Sequence, residues 1–142
     1  MMPGTLGIVM WLTMGAMLTG FAGGGSLPTG QHCLNVCEYR GMIARIWRGA
    51  VRAEDATAYA AYVQKTGIES YQRTPGNRGA WLLWRVEGDH AEFITVSFWE
   101  SRAAIEAFAG QDIEKAVFYP DDEQFLIERD LTVHHYEVAD TE

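Results

Sequence analysis

Ala91–Ala104 reads AEFITVSFWESRAA, and the order of elements in the chain follows from it. Phe93 to Trp99 is a run of β-branched and aromatic residues, the composition of a strand. It passes within two residues to Ser101 and then to RAAIE, so the strand feeds directly into a helix with Ser101 as its N-cap. Odd positions carry Phe93, Thr95, Ser97 and Trp99, and even positions carry Ile94, Val96 and Phe98. Neither face is clearly polar, so both are expected to be buried. A short chain has few helices with which to cover a sheet, and a second copy of the protein is expected to supply one cover.

Working outward from this stretch, Ala80–Val86 (AWLLWRV) reads as the preceding strand, joined to it by the turn Glu87-Gly88-Asp89-His90. Thr74-Pro75-Gly76-Asn77 is a turn further upstream. Ala53–Lys65 places Ala56, Tyr59, Ala60 and Val63 on one helical face, with Glu54 and Asp55 in the first turn where the helix dipole favours negative charge. Gly67 is expected to interrupt that helix. Met42–Arg48 (MIARIWR) reads as the first strand. After the decisive stretch, the helix from Arg102 to Ala109 ends at Gly110 as an αL cap. Ile113–Phe118 adds a further turn before Pro120, and Phe125–Val138 (FLIERDLTVHHYEV) closes the chain as one long strand. The order β-α-β-β-α-β is that of a ferredoxin-like α+β fold, a four-stranded antiparallel sheet with two helices on one face. Its other face would expose Trp, Leu, Ile and Val, more than a soluble monomer normally tolerates, and a symmetric sheet-on-sheet dimer removes that exposure.

The 142 residues suffice for one domain with a sizeable core, and a content of 48% hydrophobic and 12% aromatic residues belongs to a packed globule. The formal charge of −8, with the eleven Lys and Arg dispersed, sets nucleic-acid binding aside. Residues 1–41 differ in kind from the remainder. Residues 1–37 hold no Asp, Glu, Lys or Arg, and Leu6 to Phe21 is apolar apart from threonines and glycines. A signal-peptide core lacks its positive flank here, and a spanning helix would need roughly 20 apolar residues. A third reading is upstream translated sequence ahead of a product that begins at Met42. The expected division is therefore an apolar extension, 1–41, and a domain, 42–142. The domain is expected to be cytoplasmic unless the extension directs it to a membrane or out of the cell. Cys33 and Cys37, beside His32, are too few for a zinc site and read as incidental. From Met42 onward there is no cysteine, which removes disulfides and thiol catalysis from that domain.

The segment Met42 to Asp140 resembles the antibiotic biosynthesis monooxygenase-like proteins of the dimeric α+β barrel superfamily. The residues that carry the resemblance are MIARIWRG at Met42–Gly49, TPGNRG at Thr74–Gly79, SFWES at Ser97–Ser101 and HHYEV at His134–Val138. The resemblance implies a homodimer and, in each subunit, a pocket between sheet and helices that takes a small aromatic ligand. It also implies chemistry without a cofactor: an electron-rich phenol is deprotonated and itself reduces O2, so that a base, an anion stabiliser and a dry cavity are needed. On that basis His134 or His135 is the candidate base, Arg45, Arg48 or Arg85 the anion stabiliser, and Tyr119 a hydrogen-bond donor to a quinone-like oxygen. Trp47, Trp81, Trp84, Trp99 and Phe118 are candidate aromatic walls. Competing readings stand beside these. Adjacent histidines point to opposite strand faces, Trp81 and Trp99 suit a core or dimer interface, and Arg45 suits an ion pair with Glu92 or Glu128. The haem-degrading branch of the family is disfavoured. Arg48 stands where that branch has Asn, Phe108 where it has Trp, and Val117-Phe118-Tyr119 where it has His. The alternative to a cofactor-independent monooxygenase is a non-catalytic dimeric module that binds a small ligand or serves a stress-related structural role.

Overall fold

A computed structural model describes residues 39–139; the apolar extension through Glu38, with Cys33 and Cys37, lies outside the described residues. Strand β1 (Ile43–Arg52) leads into a helical stretch that runs without a break to Arg73: a 3-10 turn, helix α1 (Ala56–Val63), a π turn (Gln64–Ile68) and helix α2 (Glu69–Arg73). Strands β2 (Asn77–Glu87) and β3 (His90–Trp99) follow, then helix α3 (Arg102–Ala109). A short helix α4 (Asp122–Phe125) and strands β4 (Leu126–Arg129) and β5 (His134–Glu137) complete the domain.

The sheet is antiparallel in the order β2-β3-β1-β4, with β5 also paired to β1. This is the ferredoxin-like order expected for an α+β fold of this kind. The β2–β3 turn is the anticipated one: Glu87 pairs with His90 across Gly88-Asp89, and Gly88 takes φ 65°, a value that glycine adopts at no steric cost. Ser101 caps α3, its hydroxyl accepting from the Ala104 amide at 3.1 Å. Gly110 has positive φ (88°) but ψ −175°, so it ends α3 in an extended backbone rather than the αL cap expected.

Three further expectations are corrected. Gly67 does not end the first helix. The chain absorbs it in a π turn, where the Thr66 hydroxyl donates to the Tyr62 carbonyl at 2.9 Å and competes with the regular ladder. Ile113–Phe118 is not helical but forms a strap, with Ile113 and Glu114 in a turn and the chain running on from Lys115. The closing strand is two strands, because residues 131–133 turn their hydrogen bonds away from β1 to that strap: Ala116 N–H donates to the Leu131 carbonyl at 3.0 Å and Val133 N–H to the Glu114 carbonyl at 2.8 Å.

The register separates the two sheet faces. Val51, Trp47, Arg45 and Ile43 of β1 stand opposite Ala91, Thr95, Ser97 and Trp99 of β3 on the helix side, where Phe93 and Trp99 are fully buried against Tyr59, Ile68, Tyr71 and Ile105. On the other face Ile94, Val96 and Phe98 are only half-buried. Trp81, Leu83 and Tyr136 are 45%, 51% and 55% exposed there. The even-numbered face of β3 is thus apolar and largely uncovered among the described residues. Among the described residues no helix is long and apolar enough to cross a membrane.

Candidate functional site

Between the helical stretch and the sheet lies a narrow cavity of about 30 Å³, on the order of two water molecules. Trp47 and Thr95 form its floor from β1 and β3, and Tyr59 and Val63 enter from α1. Thr66 and Gly67 come from the π turn, Tyr71 from α2, and Val117, Phe118 and Tyr119 from the strap. Asp122, at the start of α4, is the carboxylate of the lining and is 5% exposed.

Asp122 is held on both oxygens. Tyr59 donates its hydroxyl to Oδ1 at 3.1 Å, and the Tyr119 backbone N–H donates to Oδ2 at 2.6 Å. Burial pushes the carboxyl above the usual range, while these two donors and the Arg129 charge hold it back. Such a carboxylate is more basic than one in water, and each oxygen keeps a lone pair for another donor. Burial and the neighbouring carboxylate drive the Tyr59 hydroxyl far up, so it stays a neutral donor. Tyr119 is raised as well, by burial first. The Trp47 indole N–H is committed to the Asp130 carbonyl at 2.9 Å, and its ring meets Phe118 edge-on at 6.2 Å. A π turn in the wall is notable because such turns recur at functional sites.

Of the residues anticipated from the sequence, the structure brings Tyr119, Trp47 and Phe118 together at this cavity. The others stand elsewhere. Trp99 is wholly buried in the core, its indole donating to the Ser97 hydroxyl at 2.9 Å. Trp81 stands on the opposite sheet face against Phe98, and Trp84, on the helix side near the far end of β2, stacks on Phe93. His134 is exposed beside Tyr136, opposite Ile46, and His135 faces the helix side, opposite Arg45. Both line a shallow cleft at the β5 edge with Arg102 and Glu114 rather than the cavity.

Arg45 is 1% exposed and does not pair with Glu92 or Glu128 as anticipated. Its guanidinium donates to the carbonyls of Ile113 and Lys115 and to His135 Nε2, because β1 presents it under the strap while Glu92 lies on the other face, bound to Arg85. Arg48 and Arg85 belong to that other face too, at a charged recess with Glu92 and Glu128.

Asp122 and Tyr59 were not singled out as site residues from the sequence. Two signals were available. Tyr59 falls on the buried helix stripe, and a buried tyrosine hydroxyl needs a partner. Asp122 follows Tyr-Pro-Asp just ahead of an apolar run, where a helix start buries an acidic residue. Among the described residues no cluster of His, Cys, Asp and Glu is arranged to hold a metal ion.

No family model matches the chain, and no curated protein does. Solved structures do. A candidate antibiotic biosynthesis monooxygenase from Nitrosomonas europaea superposes with a TM-score of 0.51 at 16% identity, over 69% of this chain and 90% of that one. One from Bacillus cereus gives 0.51 at 17% identity, over 71% and 98%. At these identities the likeness is one of fold, and it joins the antiparallel sheet order and the helix-covered cavity described above. The chain has the fold of the antibiotic biosynthesis monooxygenase-like family, as the motifs at Met42–Gly49, Thr74–Gly79, Ser97–Ser101 and His134–Val138 led one to expect.

Proposed function

We propose that residues 42–142 work as a cofactor-independent monooxygenase of a small phenolic substrate, with Asp122 as the base. The observation that carries this reading is a buried carboxylate of raised basicity in an aromatic cavity, held by Tyr59 and the Tyr119 amide. Asp122 takes the phenolic proton, and the resulting phenolate is the reductant. With O2 it gives a quinone and water, one oxygen atom entering the product and the other leaving as water. The substrate supplies all four electrons that O2 takes up, so neither a metal nor a flavin is required. Tyr119 donates to the developing quinone oxygen, and Trp47 and Phe118 clamp the ring. A void of two waters does not admit a phenol with the strap closed, so binding requires Val117–Tyr119 to move outward. The apolar sheet face supports a homodimer that packs Trp81, Leu83 and Tyr136 against their copies.

Oxygen uptake over a panel of phenols and hydroquinones tests the reading. Asp122→Asn keeps one carbonyl oxygen to accept from the Tyr119 amide and turns its NH2 to the Tyr59 hydroxyl, which can accept; the base is lost, and a fall of about 10²–10⁴-fold is expected. His134→Ala, outside the cavity, serves as the control and should keep wild-type rates. Uptake that survives in Asp122→Asn would remove Asp122 from the chemistry. The second reading, a non-catalytic module for a small ligand, is favoured by the small size of the closed cavity, and wild-type binding of phenols without any uptake would establish it.

A further inference from the structure

Arg45 is a cation buried to 1% exposure with no carboxylate against it among the described residues. Its charge is met by acceptors on the strap and on β5, with the Tyr71 hydroxyl of α2 also beside it. Nη1 donates to the Ile113 carbonyl and, at 3.1 Å, to His135 Nε2; Nη2 donates to the Lys115 carbonyl at 3.0 Å. The Phe108 ring lies 5.9 Å from the guanidinium carbon, and Nε has no partner. Both carbonyls belong to the strap whose next residues, Val117–Tyr119, form the outer wall of the cavity. Apart from Arg45, the start of the strap is tied by two backbone hydrogen bonds to Leu131 and Val133, by the contact of Ala116 with Trp47 and Val133, and by the packing of Ile113 on the main core.

We propose that Arg45 is a latch that holds the strap shut, and that protonation of His135 releases it. The logic is one of donors and acceptors. His135 accepts from a permanently charged guanidinium, so Nε2 must carry a lone pair, and the imidazole in this arrangement is neutral. An added proton turns the acceptor into a donor and sets a second cation 3.1 Å from the first. Arg45 cannot retreat, because β1 is paired on both edges at this residue, to Ser97 and to His135. His135 is half-buried on a four-residue strand at the sheet edge, so it is the imidazolium that swings out. Water then reaches the guanidinium and competes with the Ile113 and Lys115 carbonyls.

The groups facing His135 are Arg45 from β1, Arg102 from α3, Glu114 from the strap and His134 from its own strand. Burial, Arg45, Arg102 and His134 oppose the proton, and Glu114 favours it. Release is therefore expected below the ordinary histidine range, in mildly acidic solution. Its consequence for substrate entry rests on the reading of the cavity given above; the latch itself does not.

Amide hydrogen exchange on the full chain, followed by NMR from pH 8 to pH 5 with the intrinsic pH dependence removed, tests it without a substrate. Protection at Ala116 and Val133 should fall by tenfold or more along the His135 ring titration, while Val51 and Phe93 in the central strands stay protected. In His135→Gln, which keeps an uncharged acceptor, the step should vanish; in His134→Gln it should remain. Strap protection that ignores the His135 titration in the wild type would overturn the latch even if the glutamine variant failed to fold. A step that persists in folded His135→Gln would overturn it too. Absence of oxygenase activity would leave these readouts untouched.

Discussion

Gly67→Ala separates the needs of the fold from those of the cavity. Gly67 is buried in the π turn. A methyl built on it meets Val63 Cγ1 at 3.7 Å and Tyr119 Cε2 at 3.9 Å, ordinary contact distances with no overlap. The backbone there is helical, so alanine is favoured by about 0.5–1 kcal/mol over glycine, and burying the methyl adds roughly 0.8 kcal/mol. The sum, about 1.5 kcal/mol, should raise Tm by roughly 6–10 °C in a domain of about 100 residues. The same methyl takes up about one water's room in a cavity of about 30 Å³. One methyl in the way of a substrate costs about 1–3 kcal/mol of binding, or 10–200-fold. Thermal unfolding and oxygen uptake, or phenol binding if uptake is absent, are then measured on one preparation. A higher Tm with weaker substrate handling is expected. A lower Tm would mean that the wall is already closed over Gly67, and a higher Tm with unchanged substrate handling would refute the assignment of this cavity as the site.

Two further outcomes follow from the same geometry. The Asp122 carboxyl is raised above its unfolded value, so the folded chain takes up its proton at a higher pH than the unfolded chain does. Its contribution to stability is fully present below about pH 3.8 and is lost as pH rises through the folded value. Urea unfolding of Asp122→Asn should therefore lack this component, whose slope is at most about 1.4 kcal/mol per pH unit, and a profile parallel to the wild type would contradict it. Leu83→Glu, on the uncovered face and 51% exposed, should leave the fold intact and convert a dimer to a monomer in sedimentation; a wild type that is already monomeric would refute the sheet-on-sheet pairing.

The fold was legible because its signals are local. The β2–β3 hairpin rests on a two-residue Gly88-Asp89 turn, the α3 start on Ser101, and the α1 stripe on the spacing of Ala56, Tyr59 and Val63. Each depends on residues within a few positions of one another, where propensity and period act directly. The misread segments are those whose hydrogen bonds go to distant parts of the chain. Ile113–Phe118 is apolar enough for a helical turn, yet its backbone pairs with Leu131 and Val133 and its carbonyls are held by Arg45. The same pairing breaks the closing strand at residues 130–133, in the middle of an unbroken β pattern. Gly67 looked like a stop because helix propensity treats glycine as a cost. Here the segment continues because Tyr71, about two turns beyond Val63, packs on Trp99, with ring centroids 6.0 Å apart.

The site divides along the same line. Aromatic walls are readable as a class, since Trp47 and Phe118 lie in regions that must bury something, but which aromatics share a cavity depends on strand register. Trp47 and Thr95 face each other across β1 and β3 at the cavity floor, whereas Trp81 and Val96, one position out of phase, fall on the other face. A one-residue change of parity thus moves a side chain from cavity to uncovered face. The histidine pair shows the limit of reading by residue type. Histidine draws the eye as a base because its pKa lies near neutrality, but His135 is committed to Arg45 and His134 is exposed. The group with altered basicity inside the cavity is instead a carboxyl that a sequence shows only as one acidic residue among nineteen. What distinguishes Asp122 is its burial and its two donors, one of them 63 positions away in the chain. Its basicity is thus a property of the packed fold that no local pattern encodes.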